Sequence, residues 1–449
     1  MKKGLFLSLF FFDFVAASSI FSTKRRQKRM SVKELIINAG SSSLKYTVFL
    51  MPEAKVLANG IFEQLTTPLP TFTHKLPDEN GELVKVISKK ALEPNANHSD
   101  AINILIETLT GKEFGVLSSM DEIAAVGHRV LHGGEKFSGS VLVDEKVKEA
   151  IRECIPLGPL HNPANLMGIE ICEKLMGDIP QVAVFDTAFH QTIPEEAYMY
   201  ALPYKYYKEY GIRRYGFHGT SHRYIALRTA EFLEKKYPGR YDPEKLRIVT
   251  CHLGNGSSIS AVKGGKCFDT TMGLTPLEGI MMGTRSGSID PAIIPFIMEK
   301  EGLSAKEIDV LLNKKSGMLG LTSDDENNEA TSDNRTIENR AKNGDKRAQL
   351  VESMFCHQLT KYIGGLAAAM GGVDAVVFTG GIGENNPHYR TRVAEKLAFL
   401  GTKVDEEANH VRGEEIEIST EDSALKLLVL PTDEELMIAK DTYDLAVAK

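Results

Sequence analysis

The chain has 449 residues, 42% of them hydrophobic and 25% charged, a composition of ordinary globular character and a length that favours two domains over one. A formal net charge of −7 argues against a general nucleic-acid or membrane-surface binder, which needs an excess of lysine and arginine on one face. Five scattered cysteines with no Cys-x-x-Cys pair suggest neither a disulfide framework nor a zinc site, and read as buried free thiols.

In chain order, Lys2 and Lys3 precede an apolar run from Leu5 to Ala17 that is interrupted by Asp13, and the basic residues Lys24, Arg25, Arg26, Lys28 and Arg29 follow. This stretch is similar to a signal peptide or short anchor, yet a carboxylate inside so short an apolar run makes a poor export signal. Residues 1–29 therefore read as an N-terminal extension, equally a targeting segment or the result of a start placed upstream of Met30. They are set apart from the fold. Beyond them no run approaches a transmembrane span, and no stable membrane association is expected.

From Glu34 to Leu50 an apolar run, a small-residue turn (Asn38 to Ser43) and alternation through Leu44, Tyr46 and Val48 predict a β-hairpin. Glu122–Val130 and Gln181–Asp186 read as further strands. The hairpin design then returns: Ile248–Cys251 is an apolar strand, His252–Ser258 a turn, and Ile259, Ala261 and Val262 begin the return strand. Both hairpins share a Gly-Ser-Ser core and open the two halves of the chain, which marks an internal duplication. Asp, Glu and Asn dominate Ser323–Ser332, an expected exposed loop. Arg347–Met370 has helical periodicity, and the strand Ala375–Thr379 runs into Gly380-Gly381-Ile382-Gly383-Glu384-Asn385. The class is α/β with two domains.

Three turns of small residues, each directly after an apolar strand, suit a polyphosphate, because backbone N–H groups reach its oxygens only where side chains do not intervene. These are Asn38–Ser43, His252–Ser258 and Thr379–Asn385. Neither a P-loop nor a protein-kinase His-Arg-Asp signature is present.

The motifs Asn38-Ala39-Gly40-Ser41-Ser42-Ser43-Leu44-Lys45, Gly127-His128-Arg129 with His132-Gly133-Gly134, Pro159-Leu160-His161-Asn162-Pro163 and Phe185-Asp186-Thr187-Ala188-Phe189-His190 occur in the first half. Arg214-Tyr215-Gly216-Phe217-His218-Gly219-Thr220-Ser221-His222, the His252 turn, Met282-Gly283-Thr284-Arg285-Ser286-Gly287 and Thr379–Asn385 follow. Together, and in this order up to Glu434, they resemble the acetate kinases, over essentially the whole chain from Ser31 onward. The resemblance implies two duplicated actin-like, ribonuclease-H-like βββαβαβα domains around an active-site cleft. It places the N-terminal domain at 31–186, joined by a C-terminal helix at 435–449, and the C-terminal domain at 187–434. It further implies a cytoplasmic homodimer that moves the γ-phosphoryl group of ATP to acetate in line and reversibly, giving acetyl phosphate and ADP, with Mg2+ as the metal and Mn2+ as an alternative.

That chemistry needs no general base, since acetate is already an anion, but it needs fixed cations to bring two anions together. Arg129 and Arg285 suit this through bidentate guanidinium contacts. By resemblance both are catalytic, with His218 stabilising the transition state and Asp186 orienting an arginine. His161 is a second-tier candidate, and His222 is left as evenly a packing residue. Asn38 and Glu434 are the implied metal ligands, an amide and a carboxylate being sufficient for a cation that keeps its waters. Asp433 stands where the family commonly has Asn. Implied nucleotide contacts are Lys45, His252, Leu253, Gly254, Asn255 and Gly256, then Asp333, Asn334 and Arg335, and Gly381, Ile382, Gly383, Glu384 and Asn385. The implied methyl pocket is Leu131, Leu160, Phe217 and Pro276, and Leu131, commonly Val in the family, makes it tighter. Alternative readings are a propionate or butyrate kinase of the same family, and a non-catalytic nucleotide-binding protein on an actin-like fold.

Overall fold

The computed structural model describes residues 30–78, 81–323 and 329–448, so the N-terminal extension and the middle of the acidic stretch Ser323–Ser332 lie outside the described residues. Strands β1 (Val32–Ala39), β2 (Leu44–Met51), β3 (Lys55–Glu63), β4 (Thr71–Pro77), β5 (Leu83–Ala91), β6 (Ile123–Val130), β7 (Val141–Leu142) and β8 (Gln181–Phe185) form one sheet. Strands β9 (Arg247–Leu253), β10 (Ser257–Lys263), β11 (Lys266–Thr270), β12 (Ala375–Thr379), β13 (Ile416–Glu417) and β14 (Lys426–Val429) form the second.

In space the first sheet is ordered β5-β4-β3-β2-β1-β6-β8-β7 and the second β11-β10-β9-β12-β14-β13. Each contains the same unit: an antiparallel meander of three strands, two parallel strands added beside its first strand, and a short antiparallel edge. The duplication expected from the two Gly-Ser-Ser hairpins thus runs through both sheets. Strands β4 and β5 are an addition to the first half alone.

Helices α1 (His98–Thr110), α2 (Asn162–Met176), α3 (Gly219–Lys236), α4 (Lys346–Met370), α5 (Gly380–Asn385) and α6 (Glu434–Ala446) position the site. In α4 the buried residues Val351, Phe355, Leu359, Ile363, Leu366 and Met370 recur every three or four positions, forming the stripe that packs into the core of the second sheet. Asp345 caps its start by accepting from the Arg347 and Ala348 N–H groups, and Gly371 at φ +76° ends it.

The two halves exchange helices. After β8, the last long strand of the first sheet, the chain enters α3, whose Ile225, Ala226 and Leu233 pack on Ile248, Ala375 and Val377 of the second sheet. After β14 it returns to α6, whose Ile438, Ala439 and Tyr443 pack on Ile36, Val182 and Val184 of the first. Gly127 makes this return close, because a Cβ there would meet Ile36 Cδ1 and Ile438 Cγ2 at 2.8 Å. The chain therefore crosses between the sheets twice, directly after Asp186 and directly before Glu434.

Candidate active site

Strands β6 and β8 are parallel neighbours, with Arg129 opposite Val184, so the Arg129 side chain meets the first residue beyond the buried strand β8. Arg129 Nε donates to Asp186 Oδ1 at 3.0 Å and Nη2 to Oδ2 at 2.6 Å, a two-pronged contact. The Asp186 side chain is 0% exposed, and Glu434 Oε2 lies 3.8 Å from the same guanidinium. Removal from water alone would lower the Arg129 pKa, but the Asp186 and Glu434 carboxylates outweigh it and raise the value above that of a free arginine. The expected pairing of Asp186 with an arginine is present.

The second half supplies an opposing arrangement. His218 sits in the left-handed region at φ +55° and precedes α3. Its ring stacks on His252, with centroids 4.2 Å apart, and its Nδ1 is 2.9 Å from Ser258 Oγ. A Cβ at Gly256 would lie 3.4 Å from His218 Nε2 and 3.5 Å from Arg285 Nη1, so both groups converge on the glycine turn. The Arg285 loop is fastened to that turn by Gly283 N–H, which donates to Asn255 O at 3.0 Å; a side chain at Gly283 would overlap the Asn255 amide.

Arg285 Nη1 donates to Pro276 O at 3.1 Å, and among the described residues no carboxylate pairs with it. Burial lowers its pKa with nothing to compensate. Burial holds the His161 and His218 rings below the usual histidine range; the Arg129 and Arg285 charges add to this at His161, and at His218 the neighbouring His252 adds first, followed by Arg129, His222 and Arg285. Burial likewise lowers His252, which also feels Glu434, Arg129, Glu384 and Asp186. Arg129, His161, Asp186, His218, His252, Arg285 and Glu434 thus share one electrostatic site.

The three glycine-containing segments differ. Asn38 and Lys45 face each other across β1 and β2, and Gly40 N–H donates to Ser43 O at 2.8 Å to close the first turn. In the second, Gly254 N–H donates to Gly256 O at 3.0 Å, while the Leu253 side chain belongs to the core and leaves only its backbone to the turn. The third, read from sequence as a turn, is the short helix α5. It lies beside the second because Thr379 pairs with His252 across β9 and β12. Glu384 Oε1 is committed inside it, accepting from Gly380 N–H at 2.8 Å and from Thr432 N–H at 3.3 Å, so its carboxylate ties α5 to the Glu434 loop. Gly381 and Asn385 remain exposed, Ile382 is half-buried and Gly383 buried. Asp333 caps the helix that begins at Asn334 and pairs with the exposed Arg335; among the described residues no hydrogen bond joins this element to the glycine turns.

A family model described as the acetokinase family matches residues 33–440. The chain belongs to the acetokinase family. It is 53% identical over 418 residues to the acetate kinase of Carboxydothermus hydrogenoformans, covering 93% of this chain and 100% of that one. It is 52% identical over 415 residues to the acetate kinase of Methanosarcina mazei, covering 92% and 97%. The crystal structure of Porphyromonas gingivalis acetate kinase superposes with TM-score 0.83 at 48% identity, covering 92% of this chain and all (100%) of that one. A propionate kinase from Francisella tularensis superposes at 0.82 with 39% identity, covering 92% and 100%.

In this acetokinase Leu131 (8% exposed) and Phe217 (1%) form one buried apolar cluster with Met272 and Met282. Pro276 is half-buried and holds Arg285 through its carbonyl, whereas Leu160 is 51% exposed and outside the cluster. Met272 and Met282 were not anticipated, since a buried methionine has no sequence mark that separates pocket from core. Also missed were Asn162 and Asn165. Asn162 Oδ1 accepts from His132 N–H at 3.1 Å, and Asn165 accepts from Leu131 N–H at 2.9 Å while donating to Ala39 O at 2.7 Å. They clamp the ends of β6 and β1 to α2; the available signal was two amides on an otherwise apolar helix face. The extra carboxylate Asp433 is the N-cap of α6, accepting from Leu436 N–H at 2.8 Å, a bond an asparagine also makes.

Proposed function

We infer that this acetokinase transfers the γ-phosphoryl group of ATP to the carboxylate of acetate, giving acetyl phosphate and ADP, and runs the reverse reaction. The observation that carries the reading is Arg285, a guanidinium drawn out of water beside His218 with no counter-ion among the described residues. An anion is what such a group lacks. In the transfer the bond from γ-phosphorus to the bridging oxygen of ADP breaks as a bond to an acetate oxygen forms. Arg285 and Arg129 neutralise the charge spread over the moving group, and the neutral His218 ring contributes a hydrogen bond from Nε2. Asp186 acts through Arg129 by fixing its fork, and no proton needs to be taken from the acceptor.

The donor set fits magnesium. Asn38 is half-buried with no hydrogen-bond partner for its amide among the described residues, and Glu434 stands 3.8 Å from its nearest cation, leaving oxygen donors of the kind this ion takes. Asn38 and Glu434 would hold Mg2+, or Mn2+ in its place, which supplies charge neutralisation at the phosphates when bound. The glycine segments at 252–256 and 381–385, with Lys45 and the Asp333–Arg335 element, are assigned to the nucleotide. The acetate methyl is assigned to the apolar cluster of Leu131, Phe217, Met272 and Met282.

The division 31–186 with 435–449, against 187–434, follows the exchange of α3 and α6. A homodimer is supported by the helix Ile293–Glu301, which buries none of its residues and leaves Phe296 60% exposed. Among the described residues no helix is long and apolar enough to cross a membrane, and the need for ATP favours the cytoplasm. The test is an assay of protein begun at Met30, trapping acyl phosphate with hydroxylamine from acetate and from propionate. Acetate is expected to be preferred. Nucleotide binding without acyl phosphate would sink the reading.

A further inference from the structure

Behind His218 lies a row of buried groups that the transfer as described does not use. His218 Nδ1 is 2.9 Å from Ser258 Oγ, and Ser258 Oγ is 2.7 Å from His222 Nε2. His222 Nδ1 is 2.7 Å from Thr250 Oγ1, which reaches the Ser260 carbonyl at 3.3 Å. Ser258, His222 and Thr250 are each 0% exposed. The arrangement follows from regular structure: His218 and His222 stand one helical turn apart at the start of α3, and Thr250 and Ser260 are register partners on β9 and β10.

Counting hydrogens leaves two consistent polarities. His222, sealed between two hydroxyls, carries one ring proton, and each hydroxyl donates once. In the first polarity Thr250 donates to the Ser260 carbonyl, His222 Nδ1–H to Thr250, Ser258 to His222 Nε2, and His218 Nδ1–H to Ser258. A neutral His218 then turns a bare Nε2 lone pair toward Gly256 and repels a phosphoryl oxygen. In the second, Thr250 donates to His222 Nδ1, His222 Nε2–H to Ser258, and Ser258 to His218 Nδ1. His218 then presents Nε2–H. The same number of protons serves both, and the second gives up only the 3.3 Å contact, the longest in the row.

We propose that His222, Ser258 and Thr250 are positioning residues that hold His218 as its Nε2–H tautomer, so that the ring donates to the phosphoryl group converging with Arg285 on Gly256. This rests on the reading of His218 given above, and the two are separable. The Ser260 carbonyl accepts from Thr250 only in the first polarity, so the second is selected when a phosphoryl oxygen takes the Nε2–H, at the cost of the 3.3 Å contact alone, and no proton leaves the row.

The experiment compares kcat and KM for His218→Ala, Ser258→Ala, Thr250→Val and Thr250→Ser, with 15N spectra of ring-labelled protein bound to acetate and an ATP analogue carrying a methylene β–γ bridge. Ser258→Ala and Thr250→Val are expected to lower kcat by about tenfold or more with both KM values within about twofold, and to mix the His218 tautomers. Thr250→Ser, which keeps the hydroxyl, is expected to restore wild-type turnover and the Nε2–H signal, which a mere packing role for the hydroxyl would not require. If His218→Ala loses turnover while Ser258→Ala stays within twofold of wild type, the positioning role is wrong and the role of His218 stands. If His218→Ala itself retains turnover, both are wrong.

Discussion

Arg129 and Arg285 carry the same charge into the same site, one from a strand of the first sheet and one from a loop of the second half, yet their surroundings are opposite. Arg129 is held in a fork by the buried Asp186 and lies near Glu434. Arg285 is held only by a carbonyl and a thioether sulfur, 3.7 Å away, and has no counter-ion among the described residues. The fold has already neutralised one cation and oriented it; the other is left for a ligand to neutralise. A charge that the protein pairs contributes to stability and geometry, while a charge that it leaves unpaired costs stability and is available to bind.

Truncating each arginine separates the two roles most severely. Arg285→Ala is expected to lower turnover by roughly three decades or more without lowering the unfolding midpoint, because no buried partner is orphaned and an uncompensated charge is removed. A variant within tenfold of wild type in the coupled assay would refute the role. Arg129→Ala is expected to lose activity and also about 3–5 kcal/mol of stability in urea unfolding, since Asp186 is then buried without its cation. Equal stability of the two variants would remove the distinction between them.

Carboxylates show the same contrast. Asp186 is paired, but Glu34 on β1 is buried with neither oxygen hydrogen-bonded among the described residues, and burial, aided by the charge of Asp444, raises its pKa to about 8. The folded chain therefore keeps a proton there that the unfolded chain releases near 4.5. Stability contributed by this site is present below that value and falls as pH rises toward 8, by an amount on the order of a few kcal/mol. Glu34→Gln is expected to flatten the fall and stabilise the protein near pH 8; an unchanged pH profile of the unfolding free energy would contradict the assignment.

Smaller effects sharpen the picture at the acid and metal ends. Leu131→Ala is expected to favour propionate relative to acetate, by about 1–3 kcal/mol in the ratio of specificity constants for one methylene; an unaltered ratio would place the methyl elsewhere. Asp433→Asn is expected to keep turnover within about twofold and stability within about 0.5 kcal/mol, because either residue caps α6. A large change in magnesium dependence would show that the extra carboxylate reaches the metal.

Local sequence determined a good deal. Apolar runs of five to eight residues ending in small or charged residues located β1, β6, β8, β9 and β12, because runs that short and rich in β-branched residues suit buried strands, and the repeated Gly-Ser-Ser hairpin exposed the duplication. Motif order carried Arg129, Asp186, His218, Arg285 and Glu434. What tertiary structure alone decided is where charge and hydrogen bonds end. Glu384 ties α5 to the Glu434 loop, Asp433 caps a helix, and the Leu253 side chain packs in the core, bonds and packing that residue type and spacing do not show. Nor could the sequence place Asp186 and Glu434 at the two points where the chain crosses between sheets. That placement arises because α3 and α6 each bury their apolar face against the other half, a long-range exchange that brings residues 248 positions apart in the chain to one guanidinium.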